Sequence, residues 1–119
     1  VTTSSLTTYT VTVASGTNSY STGNKYYLNG SVSPTISLSE GSTYRFDQSD
    51  SSNSGHPLRF STTANGTHGG GSEYTTGVTT NGTPGSSGAY TQITVASGAP
   101  TLYYYCTYHS GMGGQANTP

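Results

Sequence analysis

Cys106-Thr-Tyr-His109-Ser-Gly-Met112, followed by Gly113-Gly114, places a thiolate, an imidazole and a thioether within seven positions near the end of the sequence. With one more imidazole from upstream, these groups make up the donor set by which proteins hold a single copper ion. A strongly donating thiolate and two imidazoles lie near a trigonal plane, and a soft sulfur makes a long, weak axial contact. The chain has one Cys and one Met, and they bracket one of its three His. Two residues between Cys and His, and two more between His and Met, let one glycine-containing loop curl three donors around a point. Singly, each residue has a plainer explanation, a lone Cys being more often a small buried hydrophobe than a ligand. Their order and proximity point to a metal.

Such a loop needs a strand to carry its cysteine. Residues 101 to 106 alternate, with Leu102, Tyr104 and Cys106 on one face and Tyr103 and Tyr105 on the other, the period-two pattern of a half-buried strand. As the last strand, it would bring the thiolate to the core end of a sheet. Upstream, Tyr9, Val11 and Val13 alternate with threonines up to Ser15-Gly16. Residues 25 to 28 form a short strand closed by Asn29-Gly30, a strong hairpin-turn pair, and Pro34 confines the returning strand to an edge or a break. Residues 35 to 48 read as two strands joined at Gly41. Residues 57 to 62, 73 to 80 with a bulge at Gly77, and 90 to 95 supply the rest. The string Thr-Val-Ala-Ser-Gly at 12 to 16 and again at 94 to 98 is expected to be one turn type used twice.

The loops carry the remaining polar groups. Asp47, Ser49, Asp50 and Asn53 loosely resemble a calcium loop, but the EF-hand spacing fails and no closing Glu follows, so a plain turn is expected. His68, in the glycine-rich stretch from 63 to 72, is expected to face solvent. Asn29, Asn65 and Asn81 each begin a match to the glycosylation sequon and are read as turn residues.

Composition reaches the same fold class by another route. Of 119 residues, 29% are hydrophobic and 6% charged, with a net charge of -1 and eleven tyrosines. Disorder would pair low hydrophobicity with high net charge and few aromatics. Here tyrosine rings can fill a core while each hydroxyl finds a partner. Serine, threonine, glycine and asparagine favour strands and tight turns over long helices. An all-β, Greek-key β-sandwich of seven to eight strands follows, as a single domain over 1–119 with a core of roughly 9–114 and the termini as linkers.

The Cys106, His109 and Met112 loop resembles that of the cupredoxins, the type 1 blue-copper proteins, and its C-x2-H-x2-M spacing is most similar to the amicyanin version, plastocyanin-like members having a longer His-to-Met interval. The resemblance covers roughly residues 36 to 114. It implies a second His at the start of a strand in the first half, a place that His56 fits in Ser54-Gly55-His56-Pro57-Leu58-Arg59-Phe60. It further implies one copper per domain, cycling between Cu(I) and Cu(II), with Cys106, His56 and His109 as equatorial ligands and Met112 as the axial one. Each His would bind through Nδ1. The edge of His109 would be the electron port to a redox partner protein, flanked by a flat uncharged surface at Pro57, Gly111, Gly113 and Gly114.

Electron transfer is therefore the expected function, with no catalysis by this domain alone. One thiolate cannot build a binuclear copper centre, and three His cannot supply a trinuclear cluster besides a blue site. No G-x-S-x-G elbow is present. Zinc also takes Cys and His, but an axial Met suits copper better. Lys25, Arg45 and Arg59 are too few for a nucleic-acid surface, and no apolar run reaches spanning length. Placement outside the cytoplasm, whether extracellular, periplasmic or on a surface or virion, is expected from the Ser/Thr/Asn/Gly-rich composition and the resemblance. The alternative is a structural or adhesive β-domain of a larger extracellular, filament or virion protein, self-assembling, in which copper stabilises or is vestigial.

Overall fold

The computed structural model describes residues 6–118. Among these described residues eleven strands form two sheets: β1 (Leu6–Thr17), β2 (Thr22–Leu28), β3 (Ser31–Val32), β4 (Ile36–Ser37), β5 (Thr43–Asp47), β6 (Leu58–Ser61), β7 (Glu73–Tyr74), β8 (Val78–Asn81), β9 (Tyr90–Thr94), β10 (Leu102–Cys106) and β11 (Gly114–Asn117). One sheet has six strands in the order β3-β2-β1-β5-β9-β8, the other five in the order β4-β11-β10-β6-β7. Most neighbours are antiparallel, but β1 with β5 and β4 with β11 are parallel. The all-β sandwich is present, with more strands than the sequence pattern gives, and with β1 and β2 longer than expected.

The inward faces meet in one core. Val11, Tyr26, Leu28, Phe46 and Ile93 come from the six-stranded sheet, and Leu58, Phe60, Leu102, Tyr104 and Cys106 from the other, all at 2% exposure or less. Phe46 and Phe60 meet edge to face across the gap, ring centroids 5.3 Å apart, an arrangement aromatic pairs prefer. Tyr26, Tyr104 and Tyr105 are among the largest fully buried side chains. The Tyr104 hydroxyl donates to the Pro34 carbonyl at 2.6 Å. Tyrosine thus supplies the bulk that leucine provides elsewhere.

Several local expectations are corrected. The two strands joined at Gly41 are present as β4 and β5, but they lie in different sheets. Residues 73 to 80 are likewise two strands, β7 and β8, in different sheets. The repeated Thr-Val-Ala-Ser-Gly string does not form one turn type: residues 12 to 16 run on inside β1, while the second copy leaves β9 and turns at Gly98, φ +73°. Pairing with a long neighbour, 14 to 17 against 22 to 25 of β2, keeps the first copy extended. Strand β10 is not the last, because β11 returns beside it, Leu102 opposite Ala116. Its sequence, Gly-Gln-Ala-Asn, has too little apolar alternation to announce a strand. The Asn29-Gly30 turn does join β2 to β3, with φ of +50° and +87°.

Candidate metal centre

Strand β10 ends on Cys106 with the side chain facing the core, 0% exposed. Strand β6 runs antiparallel beside it, Leu58 opposite Cys106, so the residue two before Leu58 comes up against the thiol. That residue is His56, 9% exposed, with Nδ1 3.7 Å from Cys106 Sγ. Three residues past the cysteine the chain turns back, and His109 places its Nδ1 3.6 Å from the same sulfur. The two imidazole centroids are 4.6 Å apart, and one donor atom from each of the three residues lies within 4.8 Å of the others.

These spacings suit an ion. Metal bonds of about 2.0 Å to nitrogen and 2.3 Å to sulfur, opened to about 110–120°, separate the two donors by about 3.5–3.7 Å. A thiol has one proton and cannot give it to two rings. Burial, and then the neighbouring His109, pull the His56 pKa below its ordinary value, favouring the neutral ring that can ligate. His56, Cys106 and His109 thus form a cluster that could hold a metal ion, on segments 50 residues apart in sequence.

Met112 is 1% exposed and packs in the same core cluster as Cys106. It lines, with His109, a shallow cleft of about 370 Å³. Its carbonyl accepts from Tyr26 N–H at 3.0 Å and from Ser33 Oγ at 3.1 Å. Gly113 follows because nothing larger fits: a Cβ there would lie 1.7 Å from the Tyr104 carbonyl oxygen.

The surface around His109 differs from expectation. His109 is exposed and Tyr108 beside it is 69% exposed, but Gly111 and Gly113 are buried. They pack inward under the loop, so the cleft at His109 is walled by Tyr108, Ser110 and residues 21 to 25 instead.

Supporting residues that the motif did not announce surround the three donors. Behind His56, Gln48 and Asn53 are buried. Gln48 Nε2 donates to the His56 carbonyl at 2.7 Å and to Asn53 Oδ1 at 3.0 Å, while Gln48 Oε1 accepts from Leu58 N–H at 3.0 Å. The Tyr26 hydroxyl donates to the same His56 carbonyl at 2.6 Å. The oxygens of the 47 to 55 loop are used internally, Asp47 Oδ1 accepting from Ser49 and Asp50 capping a short 3-10 turn at Ser51–Asn53. Around the other loop, Asn65 Oδ1 accepts from Gly111 N–H and its Nδ2 donates to Ser110 Oγ, both at 2.8 Å. Asn18 Nδ2 donates to the Gly111 carbonyl at 2.8 Å. His68, though exposed, is no free loop residue, for its Nε2 lies 2.8 Å from the Cys106 carbonyl oxygen. The sequence signal for these residues was faint: isolated polar side chains in turns, legible only once their partners are known.

Comparison of the chain with protein-family models, curated proteins and solved structures gives no match. The side chains themselves carry the functional assignment.

Proposed function

We propose that this domain is a type 1 copper protein of the cupredoxin kind that passes single electrons between partners. The convergence of two Nδ1 atoms on one buried cysteine sulfur, at 3.6 and 3.7 Å, carries the reading. His56, Cys106 and His109 would hold the ion, with Met112 as the soft fourth donor. Copper would supply a one-electron couple whose Cys thiolate bond gives intense colour. The protein's part is to keep the donors fixed so that little moves when charge changes. Core packing around Cys106 and the hydrogen bonds on the His56 carbonyl do that. His109, the exposed member of the cluster, would be the contact for a redox partner, with Tyr108 at the rim. Such transient contacts are small in area. No catalysis by the domain alone and a site of action outside the cytoplasm complete the proposal.

Titration of the purified protein with Cu(II) tests it. An intense blue band saturating at one copper per chain, bleached by reductant and restored by oxidant, is expected. In Cys106→Ser the band is expected to be absent. A persistent band in that variant, or none in the parent, overturns the assignment.

The sheet edges favour a second role alongside the first. The outer strands β3 and β8 carry no charged side chain, and Val32 is 37% exposed. Unpaired, uncharged edges are templates for strand addition, which would suit a domain of a filament or surface assembly. Concentration-dependent growth in light scattering is the expected readout.

A further inference from the structure

Lys25 is the chain's one lysine, and it is 1% exposed. Its Nζ donates to the Gly111 carbonyl at 2.8 Å and to Ser21 Oγ at 2.9 Å. No carboxylate faces it: among the described residues the ion pair found is Arg59 with Glu73, at 3.7 Å. Taking an ammonium out of water without a counter-charge is costly. Burial accordingly draws the Lys25 pKa below its ordinary value.

What Lys25 holds is specific. Gly111 lies between His109 and Met112, with φ of +81°. Its carbonyl takes Lys25 and Asn18, and its N–H gives to Asn65. Three side chains from three parts of the chain thus fix the two peptide units that flank the Gly111 α-carbon, and one of the three brings a positive charge.

We infer, resting on the copper reading above, that Lys25 is a positioning residue of the metal centre that also favours its reduced state. A thiolate with a divalent ion sums to one positive charge, and with a monovalent ion to none. A fixed cation nearby opposes the first more than the second. The electron comes from a redox partner protein, or in the test from a ferrocyanide buffer, and no bond to Lys25 forms or breaks.

Two measurements on the whole domain decide the matter. Copper-loaded parent and Lys25→Met are equilibrated in the same ferrocyanide/ferricyanide buffer. The variant is expected to keep its blue band while its Cu(I):Cu(II) ratio falls about tenfold, which is about 59 mV for a one-electron couple. In the metal-free proteins, hydrogen exchange at the Gly111 amide is expected to quicken about tenfold in the variant. An unchanged ratio or an unchanged exchange rate overturns the inference while leaving the copper reading intact. A parent that never turns blue overturns the copper reading instead, and with it the inference. Should Lys25→Met not fold, the ammonium signal of Lys25 in the metal-free parent serves in its place. A slowly exchanging ammonium coupled to the Gly111 carbonyl carbon supports the role, and a freely exchanging one overturns it.

Discussion

The two histidines of the cluster are held in opposite ways. His56 belongs to the scaffold: the residue is 9% exposed, its backbone N–H donates to the Asn53 carbonyl at 2.8 Å, and its carbonyl receives both Tyr26 and Gln48. His109 stands exposed on a loop whose anchors act on its neighbours, through Asn65 on Ser110 and Gly111, and through Lys25 and Asn18 on Gly111. One side of the cluster is built to stay, the other to be reached. The electron exchange proposed above would use both, because a rigid ligand limits rearrangement and an accessible one limits distance.

Removing the rings should break this contrast most visibly. His109→Gly leaves a gap open to solvent, so added imidazole should enter it and restore the blue band of the copper-loaded protein. His56→Gly leaves a gap enclosed by the core, and the same imidazole should restore little or nothing. Equal rescue of both variants, read from the absorption spectrum, would erase the distinction.

The anchors should differ in the same direction. Gln48→Ala strips partners from a buried N–H, a buried carbonyl and a buried amide at once, and is expected to cost about 2–4 kcal/mol in urea unfolding of the metal-free protein. Asn65→Gly removes two partly exposed hydrogen bonds at a position with φ of +64° that glycine accepts, and should cost about 1 kcal/mol. A larger loss at Asn65 than at Gln48 would mean that the exposed loop, not the scaffold, is the stable half.

Tyr26 joins the halves, its hydroxyl on the His56 carbonyl and its N–H on the Met112 carbonyl. Burial, and then the neighbouring Cys106, hold its phenol well above its ordinary value of 10.0. A raised phenol pKa means that the unfolded chain loses this proton first. The stabilisation is whole below pH 10 and shrinks as the pH climbs beyond it, by up to about 1.4 kcal/mol per pH unit for each such group. Urea midpoints should therefore fall between pH 9.5 and 11 (roughly the span set by a free phenol), and fall less in Tyr26→Phe. The smallest effect is expected at the proposed fourth donor: Met112→Leu should keep the colour and raise the reduction potential, read by redox titration.

The chain's own order of residues was enough for the fold class and for three of the proposed ligands. Period-two alternation in residues 9 to 13, 90 to 95 and 101 to 106 marks strands without outside help. Cys106, His109 and Met112 sit on one short loop, whose local spacing limits how far apart its donors can lie. His56 needed the family resemblance, because nothing in its neighbours says which distant strand β6 will pair with.

Strand order was beyond reach of the sequence. The sheet changes at Gly41 and Gly77, and the terminal strand β11, depend on partners supplied from elsewhere in the chain. The same holds for Lys25, Gln48 and Asn65. Each is an ordinary polar residue in sequence, and each gains its meaning from the carbonyl or N–H across from it. Local spacing determines what one loop can hold; only packing decides which buried charge and which amide will stand behind it, because a buried polar group must find its partner wherever the fold brings one.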